Sequence, residues 1–224
     1  GQPIESSLLT RIIESSQAKV EKMNFEIRKQ LLDYDDVLNK QREVLYGERR
    51  KILLMEDLEE IVQNMLGRVL DRFFDIIFSQ ENREGWKNIF LEIFGFLPRN
   101  WEEILKIEDL EEVRNILEKD ILEKYEQKKK EFGNDIWKEV QRLVLIYTID
   151  KLWIEHLNDM DVLREGIGLR AIAHYDPLVE YKKEAYQMFQ DMINNFEIES
   201  IRYLFNVHIT EESKSGTASK GKRR

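Results

Sequence analysis

The chain has 224 residues, and 42% of them are hydrophobic, which is enough for one large domain or two small ones to bury a core. It contains three prolines and ten glycines against 35% charged residues, a balance typical of long helices and not of sheets or disordered chains. With no cysteine, it holds neither a disulfide framework nor a thiolate zinc site. The composition therefore predicts an all-α protein.

Charge is unevenly spread along the chain. The net charge of −9 divides into +5 on the last twelve residues and −14 over residues 1–212. An acidic body lacks the basic face that nucleic acids require, so we expect no nucleic-acid partner. We predict a disordered basic tail at residues 208–224, either a solubilising end or a contact for anionic lipid headgroups. No apolar run is long enough to span a membrane and the N-terminus lacks a signal-peptide pattern, so we expect a cytoplasmic protein.

The first predicted element is one long amphipathic helix over residues 1–56. Between Pro3 and Gly47 there is no proline or glycine, and apolar residues recur every three or four positions. At ~1.5 Å per residue, forty residues form a rod of roughly 60 Å. Further apolar side chains lie beside the main stripe, which makes it wider than a two-stranded coiled coil needs. The pattern predicts a scaffold helix contacted on more than one side.

Residues 57–132 are predicted to form a small helical subdomain. Three residues that can cap a helix N-terminus are each followed three positions later by glutamate: Asp57, Asn100 and Asp109. The aromatic residues between positions 86 and 101 have two interpretations, a packed core or an exposed peptide-binding groove, and we favour the core. Gly133 is then predicted to end one helix, and Asn134 to cap the next.

Residues 133–207 are predicted to contain an antiparallel two-helix hairpin and the helix that follows it. The first arm is expected to run to Gly166 and Gly168, and the second to begin with Asp176 as N-cap and Pro177 at the first helical position. Two apolar stripes flank the polar loop between them, whose tip we place at residues 166–175. The side chains expected in the hairpin core are Trp153, Leu157, Met160, Tyr181 and Met188.

No catalytic chemistry can be assembled from the sequence. It lacks the glycine-rich loop followed by lysine that cradles nucleotide phosphates, and its three histidines are too scattered for a metal pair. The one suggestive cluster contains Asp33, Asp35 and Asp36, whose helical spacing suits pairing with basic residues better than binding one metal ion. We predict no catalytic residue, no metal and no cofactor in this chain.

Three stretches resemble the SecA family, the ATP-driven motors of bacterial preprotein translocation. Residues 24–32 (NFEIRKQLL) and 34–37 (YDDV) resemble the scaffold helix of that family. Residues 152–170 and 176–189 are similar to the two arms of its two-helix finger. The subdomain at residues 57–132 is identified with the family's helical wing by position only.

The resemblance implies a motor whose ATP and Mg are bound by nucleotide-binding domains of a longer chain. The scaffold helix would contact those domains through Arg28, Tyr34, Asp35 and Asp36. The finger would engage the SecY channel complex, and its tip would touch the unfolded preprotein through Arg170, Ala171, Ile172, Ala173 and His174. The family often has tyrosine where Ile172 stands and glutamine where His174 stands. An aliphatic tip is expected to keep the apolar grip and lose the phenol.

Two further expectations complete this interpretation. A start at Gly1 without methionine fits a piece of a longer protein. That protein would associate peripherally with the inner face of the cell membrane. The alternative is a free-standing helical scaffold or holdase that presents its apolar stripes to partner proteins, with self-association into a homo-oligomer through the same stripes.

Overall fold

The computed structural model describes residues 7–78, 83–170 and 176–208. Every regular element within these ranges is helical, which confirms the all-α prediction. The elements are α1 (Ser7–Leu54), α2 (Glu59–Phe78), a 3₁₀ turn (Arg83–Gly85), α3 (Trp86–Phe94), α4 (Trp101–Ile104), α5 (Leu110–Phe132), α6 (Asn134–Arg170) and α7 (Pro177–Asn206). In these ranges no helix is both long and apolar enough to cross a membrane.

The predicted long helix is confirmed as α1, which has 48 residues. It continues through Gly47, where an added Cβ atom would meet nothing within 4 Å. Its last turn is closed by a hydrogen bond from the amide of Met55 to the carbonyl of Lys51, at 2.9 Å. The positive charge of Lys51 in that turn is favourable beside the partial negative charge of the helix C-terminus.

The predicted helix starts are confirmed in part. Asp109 is the N-cap of α5, and its carboxylate accepts a hydrogen bond from the amide of Glu111 at 2.9 Å. Asp57 accepts the corresponding bond from the amide of Glu59, and this bond lowers the pKa of Asp57. Asn100 is the N-cap of the four-residue helix α4, as predicted, but its side chain makes no capping bond, so the predicted capping interaction is wrong. Its backbone carbonyl accepts from two amides of α4 instead.

One glycine separates α5 from α6. Gly133 adopts a φ of +78°, which only glycine reaches without strain, and it ends α5 as predicted. Its carbonyl also accepts a hydrogen bond from the amide of Trp137 at 2.9 Å, so the same glycine opens α6. Asn134 is therefore the first residue of α6, and its predicted role as N-cap is wrong.

The contacts divide the chain into two units. The first unit contains Gly1–Gly47 and Asn158–Phe189, and the second contains Glu48–Leu157 and Gln190–Arg224. This grouping does not test the division into scaffold helix, wing, finger and tail, which stays a prediction. Residues 209–224 of the predicted tail lie outside the described ranges.

The second unit is built around a core of aromatic rings. Phe90 of α3 is fully buried, and its ring lies 4.5–5.7 Å from four other rings, those of Phe73, Phe94, Phe96 and Trp101. These separations are typical of favourable aromatic packing. The prediction that the aromatic stretch forms a core, and not an exposed groove, is confirmed.

Two buried polar side chains of the second unit, Glu197 and Tyr125, are paired across helices. The carboxylate of Glu197 on α7 forms ion pairs with Arg68 at 2.7 Å and with Arg72 at 2.5 Å, both on α2. The hydroxyl of Tyr125 on α5 donates to Glu59 of α2 at 3.0 Å and accepts from Gln141 of α6. Because an unpaired buried charge or hydroxyl is costly, these pairs fix how α2, α5, α6 and α7 pack.

Candidate functional site

The candidate site is the helical hairpin of the first unit. Its second arm begins as predicted, because the carboxylate of Asp176 accepts a hydrogen bond from the amide of Leu178 at 2.9 Å while Pro177 occupies the first helical position. Its first arm, α6, continues through both glycines to Arg170, so the predicted end of the arm at the glycines is wrong. A helix tolerates such glycines at a cost of about 1 kcal/mol each. Ile167, buried between them, favours the helical conformation there.

The two arms of the hairpin share an apolar cluster with α1. Its buried members are Met160 and Ile167 from α6 and Tyr181 and Ala185 from α7. The partly buried side chains that pack against them come from all three helices: Tyr34, Val37, Leu38, Leu163 and Met188. Burial of apolar side chains from all three helices stabilises the hairpin and attaches it to α1.

Three directional contacts lie beside this cluster, and together we call them the α1 clasp. The ring of Tyr34 meets the ring of Tyr181 edge-on, with centroids 4.7 Å apart. Asp35 forms an ion pair with Arg164 at 3.2 Å. The amide of Gln41, a buried side chain, donates a hydrogen bond to the backbone carbonyl of Ala185 at 2.9 Å. The clasp therefore joins α1 to both arms of the hairpin.

The electrostatic surroundings keep both phenols of the clasp protonated. Burial raises the pKa of Tyr34, the negative charge of Asp176 raises it further, and Arg164 opposes the rise. Burial also raises the pKa of Tyr181, again against the opposing charge of Arg164. Neutral phenols with raised pKa values suit packing and hydrogen bonding and are poor proton acceptors.

An apolar cleft of about 390 Å³ runs along the hairpin. Five of its six lining residues belong to α6 and one to α7: Asp159, Val162, Leu163, Gly166, Ile167 and Met188. The cleft has the chemistry to accept apolar side chains and offers one carboxylate at its edge. It contains no pair of groups suited to acid–base or nucleophilic catalysis.

The part of α1 in the first unit carries a long exposed apolar stripe. Seven large side chains on one face of the helix are each between 46% and 59% exposed: Leu9, Ile12, Ile13, Val20, Met23, Ile27 and Leu31. Single exposed apolar residues are ordinary, whereas a contiguous stripe of this length is typical of surfaces that bind another chain.

A family model described as the SecA wing and scaffold domain matches residues 3–208. The chain belongs to this SecA family. The protein translocase subunit SecA of Streptomyces coelicolor is 40% identical over 222 residues, which cover 94% of this chain and 23% of the relative. That of Acetivibrio thermocellus is 40% identical over 217 residues, covering 93% and 24%. The chain spans about a quarter of the length of these relatives.

The residues predicted for the core of the SecA finger are divided between the two units. Met160 and Tyr181 are buried in the cluster of the first unit, and Met188 packs against them. Trp153 is buried in the second unit, where its ring lies 5.6 Å from that of His156, and Leu157 is half-buried there. The structure thus brings three of the five predicted residues together.

The residues predicted for the finger tip cannot be placed in the same way. Arg170 is the last residue of α6. Ala171, Ile172, Ala173 and His174 lie outside the described residues. Their proposed contact with a preprotein stays a prediction.

The four residues predicted to face the SecA nucleotide domains have different surroundings. Arg28 is exposed, and Asp36 pairs with Lys40 of its own helix at 2.7 Å. Tyr34 and Asp35 contact the hairpin through the clasp. Among the described residues, no group of three or more His, Asp or Glu is arranged to hold a metal ion.

Sequence analysis missed Gln41 and Arg164 as hairpin contacts. A usable signal existed for Gln41, because it falls in the apolar stripe of α1 between Leu38 and Leu45, at helical spacing. A lone polar residue in such a stripe indicates a buried hydrogen bond. Arg164 gave no such signal, since its partner lies 129 positions earlier in the chain.

Proposed function

We propose that the chain is the scaffold, wing and finger portion of a preprotein translocation motor, and that its hairpin engages the SecY channel complex and the moving preprotein. The observation that carries the proposal is the SecA family match over residues 3–208, which includes both arms of the hairpin. The apolar cleft along the hairpin supports it, because preproteins of many sequences can be gripped only by contacts that tolerate different side chains.

The exposed stripe of α1 supports the second part of the proposal, a contact with nucleotide-binding domains of the same full-length protein. ATP and Mg would be bound there, and this chain would supply no catalytic residue. A helix of 48 residues is ~70 Å long, so one end can lie on those domains while residues 34–41 hold the hairpin. Arg28 and Asp36, exposed on the same helix, are the proposed polar contacts.

The same proposal covers location and the remaining partners. The full-length motor would work in the cytoplasm, peripherally bound to the inner face of the cell membrane. The five cations of the last twelve residues would contact anionic lipid headgroups, each contributing ~1 kcal/mol near such a surface. A homo-oligomer formed through the exposed stripe of α1 is a further proposed assembly.

The test is site-specific photo-crosslinking in the full-length motor during ATP-dependent import into vesicles that contain the channel. Crosslinkers are placed at Ile172 and at Val162, which is 69% exposed on the hairpin. The matched control is Leu143, on the same helix, 68% exposed but in the second unit. We expect adducts with the stalled preprotein or the channel from Ile172 and Val162 and none from Leu143. Absence of adducts at both hairpin positions would refute the proposal.

The exposed stripe of α1 also favours a second candidate function, that of a holdase for unfolded chains. A holdase would suppress aggregation of an unfolded client protein without ATP or a channel. Replacing Met23 and Ile27, two exposed members of the stripe, by glutamate would then abolish the suppression. If the unmodified chain does not suppress aggregation at equimolar concentration, this candidate is removed.

A further inference from the structure

The apolar cluster of the first unit cannot by itself fix the position of the hairpin on α1. Apolar contacts are non-directional, and a ridge of side chains can be accommodated in neighbouring grooves at similar cost. Directional contacts must therefore select one register. Among the described residues of the first unit, the α1 clasp supplies three contacts of this kind.

Two of the three clasp contacts, the ring contact and the hydrogen bond, involve a buried side chain. In the third, the ion pair, both side chains are exposed. Tyr181 and Gln41 are buried, so their replacement would disturb the fold as well as the register. The ion pair is different, because Asp35 is 53% and Arg164 is 40% exposed. Exposed pairs of this kind contribute little to stability. The pair contributes little to stability, but it joins two residues that lie 129 positions apart in the sequence. A contact of this kind is suited to a positioning role.

The ion pair also lies towards the free end of the hairpin. Arg164 is six residues before the end of α6, a distance of ~9 Å along the helix. Its positive charge also acts on Tyr34 and Tyr181, where it opposes the rise in pKa that burial causes. Arg164 therefore interacts with Asp35 and with both phenols of the clasp.

We propose that Asp35 and Arg164 are positioning residues that link the free end of the hairpin to α1. They prevent the hairpin from sliding along α1, so that a displacement of α1 also displaces the finger tip. This inference rests on the proposed function. Its consequence is specific: breaking the pair lowers the length of preprotein moved per ATP hydrolysed, whereas the motor remains folded.

The experiment uses the full-length motor with channel-containing vesicles. The variants are Asp35→Arg, Arg164→Glu and the double exchange, which restores an ion pair with reversed charges. The matched control is the pair Asp71 and Arg114 of the second unit, which are 53% and 39% exposed, exchanged in the same way. The quantities measured are preprotein residues imported per ATP hydrolysed and the melting temperature of each variant.

We expect each single exchange in the clasp to lower import per ATP by about fivefold, the population change that ~1 kcal/mol of repulsion produces. The double exchange is expected to restore at least half of the loss, and the three control variants to import normally. Melting temperatures should stay unchanged throughout. A purely structural pair would instead change melting temperature and leave import per ATP unaltered.

Two results would overturn the inference: unchanged import per ATP in both single variants, or a double variant as impaired as the singles. Neither result bears on the proposed function. That function fails on a different measurement, the absence of crosslinks from Ile172 and Val162 in the unmodified motor. Crosslinks that persist while import per ATP is insensitive to the pair would remove only the positioning role.

Discussion

The two units of the chain treat their apolar residues differently. The second unit surrounds Phe90 with four rings and pairs its buried Glu197 with two arginines. The first unit has a small buried cluster and leaves eleven large apolar side chains exposed along α1, seven of them in one stripe. Exposed apolar surface gives no stability to the chain that carries it. From this comparison we expect the second unit to supply most of the stability, and we propose that the first unit supplies binding surfaces.

The largest effect is expected from the core of the second unit. Phe90→Ala removes the ring at the centre of the aromatic core, and we expect the free energy of unfolding to fall by about 3–5 kcal/mol. Urea unfolding measures the change. The control is Phe78→Ala, since Phe78 is mostly exposed and should cost less than about 0.5 kcal/mol. Equal losses in the two variants would show that the core is not where stability resides.

A smaller and more local effect is expected in the first unit. Met160→Ala leaves a cavity in the hairpin cluster, with an expected cost of about 2–5 kcal/mol. Amide hydrogen exchange should show faster exchange around Tyr181 and Ala185 and unchanged protection in α2 and α5. Val162→Ala, at an exposed hairpin position, serves as the control. Loss of protection in α2 and α5 as well would mean that the two units unfold together, and the comparison would fail.

Much of this difference could be predicted from the sequence, because it follows local patterns. The period of α1, the aromatic core around Phe90 and the start of α7 at Asp176 and Pro177 depend on residues close together in the chain. The end of α6 was predicted too early, because two glycines were given more weight than the buried Ile167 between them. The pair of Asp35 and Arg164 could not be predicted, since nothing local indicates a partner 129 positions away.

A pH-dependent effect is expected from Tyr125 of the second unit. Burial raises the pKa of its hydroxyl far above the usual value of ~10, and the nearby Glu59 raises it further. A raised folded-state pKa means that the neutral phenol is favoured in the folded protein. Its contribution to stability is complete below pH ~10 and is lost as the pH rises beyond that value.

The variant that tests this is Tyr125→Phe. Between pH 10 and 11 the unmodified chain should lose up to about 1.4 kcal/mol that the variant does not lose. At neutral pH the variant should be about 1–2 kcal/mol less stable, because Glu59 and Gln141 lose their hydroxyl partner. Urea unfolding at several pH values measures both. Tyr147→Phe, at an exposed ring, is the control and should retain the alkaline loss. Parallel curves for the unmodified chain and Tyr125→Phe would contradict the assignment.

The smallest effect on stability is expected from replacing exposed leucines. These replacements also test which surface mediates self-association. Leu31 in the first unit is 46% exposed, and Leu53 in the second unit is 44% exposed. Replacing either by glutamate should change the free energy of unfolding by less than about 0.5 kcal/mol. Sedimentation velocity distinguishes the two variants: Leu31→Glu interrupts the long apolar stripe of α1 and should weaken self-association of the isolated chain, whereas Leu53→Glu should not. If both variants associate as the unmodified chain does, the stripe is not the surface through which copies meet. Equal weakening by both would instead show that exposure alone drives association, because only Leu31 lies within the continuous apolar stripe.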